Sequence, residues 1–225
     1  MRLSDRAFVI SLKEYPQNLQ TTIAKLQANG FKNIQPHVVI RPSKREFREY
    51  HKTRKVPTWA EGGPIKSPGA LGCLQSHKNL LQQIVKDRQP SFIFEDDILI
   101  HKNFKWLFAN AASATNGCNW IYLGCSQKKW GMVKRTKPVY NARMSIATFA
   151  YWVSEEAAEL LLSKIDSWFI PVDAYYASYW QVRCNAKVCF PYLMIHDVSN
   201  SSTGQGKRDI QRVKEIYGWK PENYM

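Results

Sequence analysis

Phe92-Ile93-Phe94 runs directly into Glu95-Asp96-Asp97, three apolar residues followed by three consecutive acids. Side chains alternate along a strand, so the pattern predicts Glu95 and Asp97 on one face and Asp96 on the other. Like charges held that close raise each other's pKa unless something positive lies between them. A hard divalent cation with oxygen ligands suits such a pair, and a nucleotide diphosphate is its natural second partner. A solvated acidic turn after a strand is the simpler alternative on this segment alone.

Other residues could join that chemistry. Asp173 follows a strand–helix unit and precedes Tyr175, Tyr176, Tyr179 and Trp180, an aromatic cluster able to stack on a sugar. It is the first candidate for a general base, although an Asp opening a short helix is also an ordinary cap. Asp96 is the alternative base if Glu95 and Asp97 suffice for a metal. His196 and Asp197 close the last predicted strand, and Lys207 and Arg208 stand in a glycine-containing loop that could fold over a diphosphate. Ser76 and His77 follow Gly69 and Gly72, which suggests a close backbone approach, and His77 shares the apolar face of its helix.

The elements that must position these residues read as an α/β pattern. Ala7 to Leu12 is a compact apolar strand, Leu19, Ile23 and Leu26 recur at helical spacing before Gly30, and Asn33 to Ile40 is a second strand. Strand–helix–strand order favours parallel pairing. A helix opens at Gly69 and carries Cys73, His77, Leu80, Leu81 and Ile84 on one face into the acidic strand. Trp120 to Leu123, ending at Gly124, and Ser145 to Val153 are further strands. Ser154 with Glu155 and Glu156 starts a helix. Pro171-Val172-Asp173 begins a short helix, Lys187 to Ile195 is a last strand, and Asp209 to Tyr217 a basic tail helix. No linker or repeat interrupts the 225 residues, so one domain is expected over 1–225. In parallel sheets ligands collect at the carboxyl ends of strands, where Glu95, Asp96 and Asp97 fall.

Composition narrows the class. The formal charge is +14, with dense basic stretches at Arg41–Lys55, Lys128–Lys137 and Lys207–Lys214. Such an excess attracts anions, including an anionic acceptor or a membrane surface in peripheral contact. No nucleic-acid recognition module accompanies it, which argues against that partner. No apolar run approaches the roughly 18 residues of a span, and the start does not resemble a signal peptide, so a cytoplasmic location is expected. Five cysteines without a C-x-x-C pair read as reduced, mostly buried thiols.

Five segments, in order, carry a resemblance. They are Val9-Ile10-Ser11-Leu12, Gly69-Ala70-Leu71-Gly72-Cys73-Leu74-Gln75-Ser76-His77, Phe94-Glu95-Asp96-Asp97, Thr148 to Ser154 with the helix after it, and Pro171-Val172-Asp173. Together they cover roughly residues 7 to 175 and resemble glycosyltransferase family 25, the lipopolysaccharide and collagen-galactosyltransferase type. The match fades after about residue 190, where Lys207-Arg208-Asp209-Ile210 stands in place of the family's Ser-Asp-Ile ending.

The resemblance implies a GT-A-like fold with a mostly parallel sheet flanked by helices, a UDP-sugar donor, and a divalent cation, Mn²⁺ ahead of Mg²⁺. It divides the single domain into a donor-binding part, about 1–125, and an acceptor and catalytic part, about 126–225. It places the metal on Glu95 and Asp97, with His196 as the third ligand. Donor contacts fall on Ser11, Leu12, Ser76, His77, Glu95, Asp96, Lys207 and Arg208. The expected reaction is inverting transfer of a hexose, galactose or glucose, to a hydroxyl of a glycan or glycoprotein. Two other classes compete: a degenerate basic module binding nucleic acid or anionic glycan, and a nucleotidyltransferase. The acids speak against the first. Lys13-Glu14-Tyr15-Pro16, in place of a phosphate loop, speaks against the second.

Overall fold

In the computed structural model, residues 1–58, 63–127, 136–197 and 219–225 are described. The first strand, β1 (Arg6–Leu12), is apolar and almost wholly buried. Pro at the start of α1 (Pro16–Ala28) presets the helical φ. Gly30, at φ +99°, then turns the chain into β2 (Ile34–Val39). β1 pairs in parallel with β2 on one side and with β3 (Ser91–Glu95) on the other.

Between β2 and β3 run two helices. The basic stretch Arg41 to Lys55 is more than a charged surface. Its centre folds as α2 (Lys44–Lys52), opened by a capping box in which Ser43 and Glu46 satisfy each other's backbone N–H groups. Phe47 and Tyr50 on its inner face pack on Phe169. α3 (Pro68–Asp87) is capped by Ser67 and buries Leu71, Leu74, His77, Leu80, Leu81 and Ile84. The expected close approach is real at Gly72, where a Cβ would stand 2.9 Å from Pro42.

After the acids come β4 (Ile98–Ile100), α4 (Phe104–Ala114), β5 (Trp120–Gln127), β6 (Val139–Asn141) and β7 (Ser145–Val153). Ser154 caps α5 (Glu155–Leu162) as expected. Past Pro171, α6 (Val172–Tyr175), a π-helical turn (Tyr176–Trp180) and α7 (Gln181–Arg183) follow without a break. The strand expected over Lys187 to Ile195 is two strands in different sheets, β8 (Lys187–Cys189) and β9 (Met194–His196). Pro191 between them cannot donate to a ladder.

The main sheet has the order β2-β1-β3-β7-β5-β8-β6. β1, β2, β3, β5 and β8 run one way; β7 and β6 oppose them. This is an α/β fold with a mostly parallel central sheet flanked by helices. Its strand order reverses direction at β1, since β2 lies to one side and β3 to the other. A crevice opens at the carboxyl ends of strands at such a switch point.

β4 and β9 form a separate two-stranded ribbon across that end, Ile98 facing His196. Gly124 lets the ribbon sit there. A Cβ on it would meet the Met194 carbonyl oxygen at 1.9 Å and Phe149 at 2.6 Å. Backbone cannot yield as a side-chain tip can. Gly124→Ala is therefore expected to destabilise the fold by upward of about 3 kcal/mol, lowering Tm by about 6–12 °C in a thermal melt; an unchanged Tm would show the ribbon is not seated there. Among the described residues no helix is long and apolar enough to cross a membrane.

Candidate functional site

Register explains why the acids meet the first strand. Ile10 pairs with Glu95, so one residue later Ser11 lies beside Asp96. The Ser11 hydroxyl donates to Asp96 Oδ2 at 2.5 Å, and Thr22 on α1 donates to the Asp96 carbonyl at 2.8 Å. β3 ends at Glu95, and Asp96 begins a turn. The strict alternation expected through Asp97 stops there, and Glu95 and Asp96 line the same cleft.

That cleft lies at the switch point and is partly open to solvent. Ser11, Leu12, Ser76, His77, Glu95 and Asp96 all contribute to its wall, so six sequence-nominated donor residues come together. Ser76 presents little of its hydroxyl, which donates back to the Gly72 carbonyl at 2.7 Å. Arg41 and Cys73, outside the expected donor set, also line the cleft. Lys207 and Arg208 lie outside the described residues.

Asp97 turns inward. Its Oδ1 is buried and has no hydrogen-bond partner among the described residues. Its carbonyl accepts the Asp197 N–H at 2.7 Å, which brings β9 and its following residue against the acidic turn. Burial and then the charges of Glu95, Asp96 and Asp197 push the Asp97 carboxyl well above the usual range. Asp96 is also raised, by burial first and then by Glu95, against the pull of the Ser11 hydroxyl.

Glu95 behaves differently. Burial would raise it, but His77 beside it, the Thr148 hydroxyl and His196 together hold it below its usual value. Thr148 Oγ1 donates to Glu95 Oε1 at 2.9 Å, and His77 Nε2 stands 3.5 Å from the same oxygen. His77 is fully buried, and its Nδ1 meets the Tyr151 hydroxyl at 2.8 Å. His196 packs edge-on against Phe149 and Trp219, each 5.1 Å away.

Asp173 sits at the start of α6. Its Oδ1 accepts the Ala174 N–H at 2.8 Å and its Oδ2 the Ala147 N–H at 3.4 Å. Ala147 is held at φ +72°, a conformation that costs a non-glycine residue about 1–2 kcal/mol. Strain of this kind concentrates near functional sites. Asp173 is close enough to the cleft for its charge to act on the Cys73 thiol, which burial, Glu95, Asp173 and Asp97 push well up. Three rings of the aromatic cluster after it are no sugar platform, and only Tyr179 is partly exposed. Tyr175, Tyr176 and Trp180 are buried in the core, where desolvation of rings favours packing over exposure.

One buried Asp97 oxygen lacks a partner among the described residues, as suits a ligand to a hard cation. The expected set Glu95, Asp97 and His196 is not gathered within ligand distance, however; among the described residues the gathered group is Cys73, His77 and Glu95.

A family model described as glycosyltransferase family 25 (LPS biosynthesis protein) matches residues 4–176. Among solved structures the chain is similar to a glycosyltransferase involved in the glycosylation of the major capsid of PBCV-1. Identity is 12%, covering 95% of this chain and 100% of that one, with a TM-score of 0.49. It is also similar to mouse xyloside xylosyltransferase 1 in its apo form, at 12% identity, 78% and 81% coverage and a TM-score of 0.37.

Proposed function

This chain belongs to glycosyltransferase family 25 and is a glycosyltransferase, and from that premise we propose an inverting, metal-dependent hexosyltransferase that takes its sugar from a UDP-sugar. The family brings a nucleotide-sugar donor and a glycan acceptor; galactose or glucose as the sugar, a glycoprotein as a second acceptor type, and peripheral contact with a membrane surface are parts of the proposal. The single observation that carries it is the buried, unpartnered Asp97 oxygen on the acidic turn, within reach of the charges of Glu95, Asp96 and Asp197.

In this reading Glu95 and Asp97 would hold the cation, Mn²⁺ ahead of Mg²⁺, with His196 as the third ligand. The cation would offset charge on the leaving diphosphate. Ser11, Leu12, Ser76 and His77 shape the donor cleft, and Arg41 adds positive charge to its wall. Asp96, tied to Ser11, fixes the floor of that cleft. Asp173 takes the proton from the acceptor hydroxyl, because it is the carboxylate near the cleft that stands apart from the acidic turn.

The test is UDP release from UDP-galactose and from UDP-glucose, with Mn²⁺ and then with a chelator. The expected result is release from one of them that stops when metal is removed. Release that persists in the chelator would remove the cation from this reading, and none from either donor would remove the UDP-hexose.

A further inference from the structure

Opposite the acidic turn, the cleft wall carries a different set of ligand atoms. Cys73 and His77 are four residues apart on α3, so they share one face of the helix. Glu95 closes β3 in front of them. One ligand atom from each of the three lies within 4.8 Å of the other two. We propose that Cys73, His77 and Glu95 form a second cation site, one for a zinc-class ion bound by sulfur, nitrogen and oxygen.

Three observations carry this. First, His77 Nε2 is fully buried, lacks a hydrogen-bond partner among the described residues, and faces Glu95 at 3.5 Å. A buried ring nitrogen without a partner is costly unless something binds it. Second, the supporting contacts are those of a metal-binding histidine: Nδ1 is engaged by Tyr151 at 2.8 Å, which fixes the ring and leaves Nε2 to the ligand. Thr148 fixes the Glu95 carboxylate in the same way. Third, the donor types differ from those around Asp97. Thiolate and imidazole together select a borderline-soft ion such as Zn²⁺, whereas the carboxylates of the acidic turn suit Mn²⁺ or Mg²⁺.

Zinc bonds of about 2.0–2.3 Å put tetrahedral ligand atoms roughly 3.3–3.8 Å apart. The present cluster, within 4.8 Å, therefore needs a contraction of up to about 1.5 Å. Three protein ligands with a fourth position open to a cleft is the pattern of a reactive zinc site. All three residues line the cleft, so the open position faces the space where the donor would bind. Binding releases one proton: the Cys73 thiol loses it to solvent as its sulfur bonds the ion. Glu95 is shared with the hard-cation set, and the two sites would communicate through it.

The experiment is a Co²⁺ titration of the metal-stripped full chain under a non-thiol reductant, followed by absorption. The expected result is a near-ultraviolet thiolate-to-cobalt band that saturates at one equivalent and is bleached by Zn²⁺. Cys73→Ser should abolish it, His77→Gln should weaken Co²⁺ affinity at least tenfold, and Asp97→Asn should retain it. No band in the wild-type protein would overturn the proposal whatever the variants do. So would a band that survives in Cys73→Ser, since it would belong to another cysteine, or one that disappears in Asp97→Asn. No donor enters the titration, so failure of the UDP-sugar reading would leave this result untouched.

Discussion

Asp97→Asn is expected to lower transfer at saturating donor and Mn²⁺ by about 10²–10³-fold, the scale of losing one preorganised electrostatic contact in a buried site. The same variant should be more stable than the wild type when both are held in chelator at neutral pH. Asp97 is raised by burial and then by Glu95, Asp96 and Asp197, so its folded pKa lies above its unfolded one. Such a group favours folding fully below the unfolded value and loses that contribution as pH rises through the folded value. Asparagine keeps the shape, carries no charge and avoids that loss. Tm should rise by about 2–4 °C for each kcal/mol relieved. A thermal melt of both proteins in chelator, from acid to neutral pH, should show the gap widening with pH. Normal turnover in Asp97→Asn would mean that the cation is held elsewhere.

Asp173→Asn separates the base from the rest of the machinery. Loss of a positioned general base lowers rate by about 10²–10⁴-fold. Donor binding should be unchanged, because Asp173 is held by the Ala174 and Ala147 amides and not by the acidic turn. Asp96→Asn should show the reverse split. Asp96 accepts from Ser11 at the cleft wall, so its removal should raise KM for the donor more than it lowers kcat. If Asp96→Asn abolished kcat while Asp173→Asn left it intact, the two roles would be exchanged.

Much of this was readable in advance because the signals were local. The β1–α1–β2 opening, the β7 strand and the Ser154 cap follow from spacing and capping within short windows. Position at the carboxyl end of β3 followed from the α/β order alone. What failed was also local. Pro191 was already enough to divide the last strand, and Ser43 with Glu46 was a readable helix start hidden by the surrounding charge. β5 runs on past Gly124 to Gln127, because that glycine accommodates the ribbon and does not end the strand.

The site needed contacts that no window contains. Asp97 meets Asp197 only because β4 and β9 pair across a hundred residues of chain. His77 finds Glu95 and Tyr151 through packing of α3 on β3 and β7. The Cys73–His77 spacing was visible as a shared helix face, but the carboxylate opposite it was not. The tyrosines after Asp173 illustrate the converse error, since an aromatic run looks alike whether it stacks on sugar or fills a core.

The central claim is a cation-dependent donor site at the end of β3, and the most direct test is calorimetric binding of UDP with and without Mn²⁺. Micromolar binding that requires Mn²⁺ and is lost in Asp97→Asn is the predicted result. Binding that ignores the metal, or persists unchanged in that variant, would contradict the account.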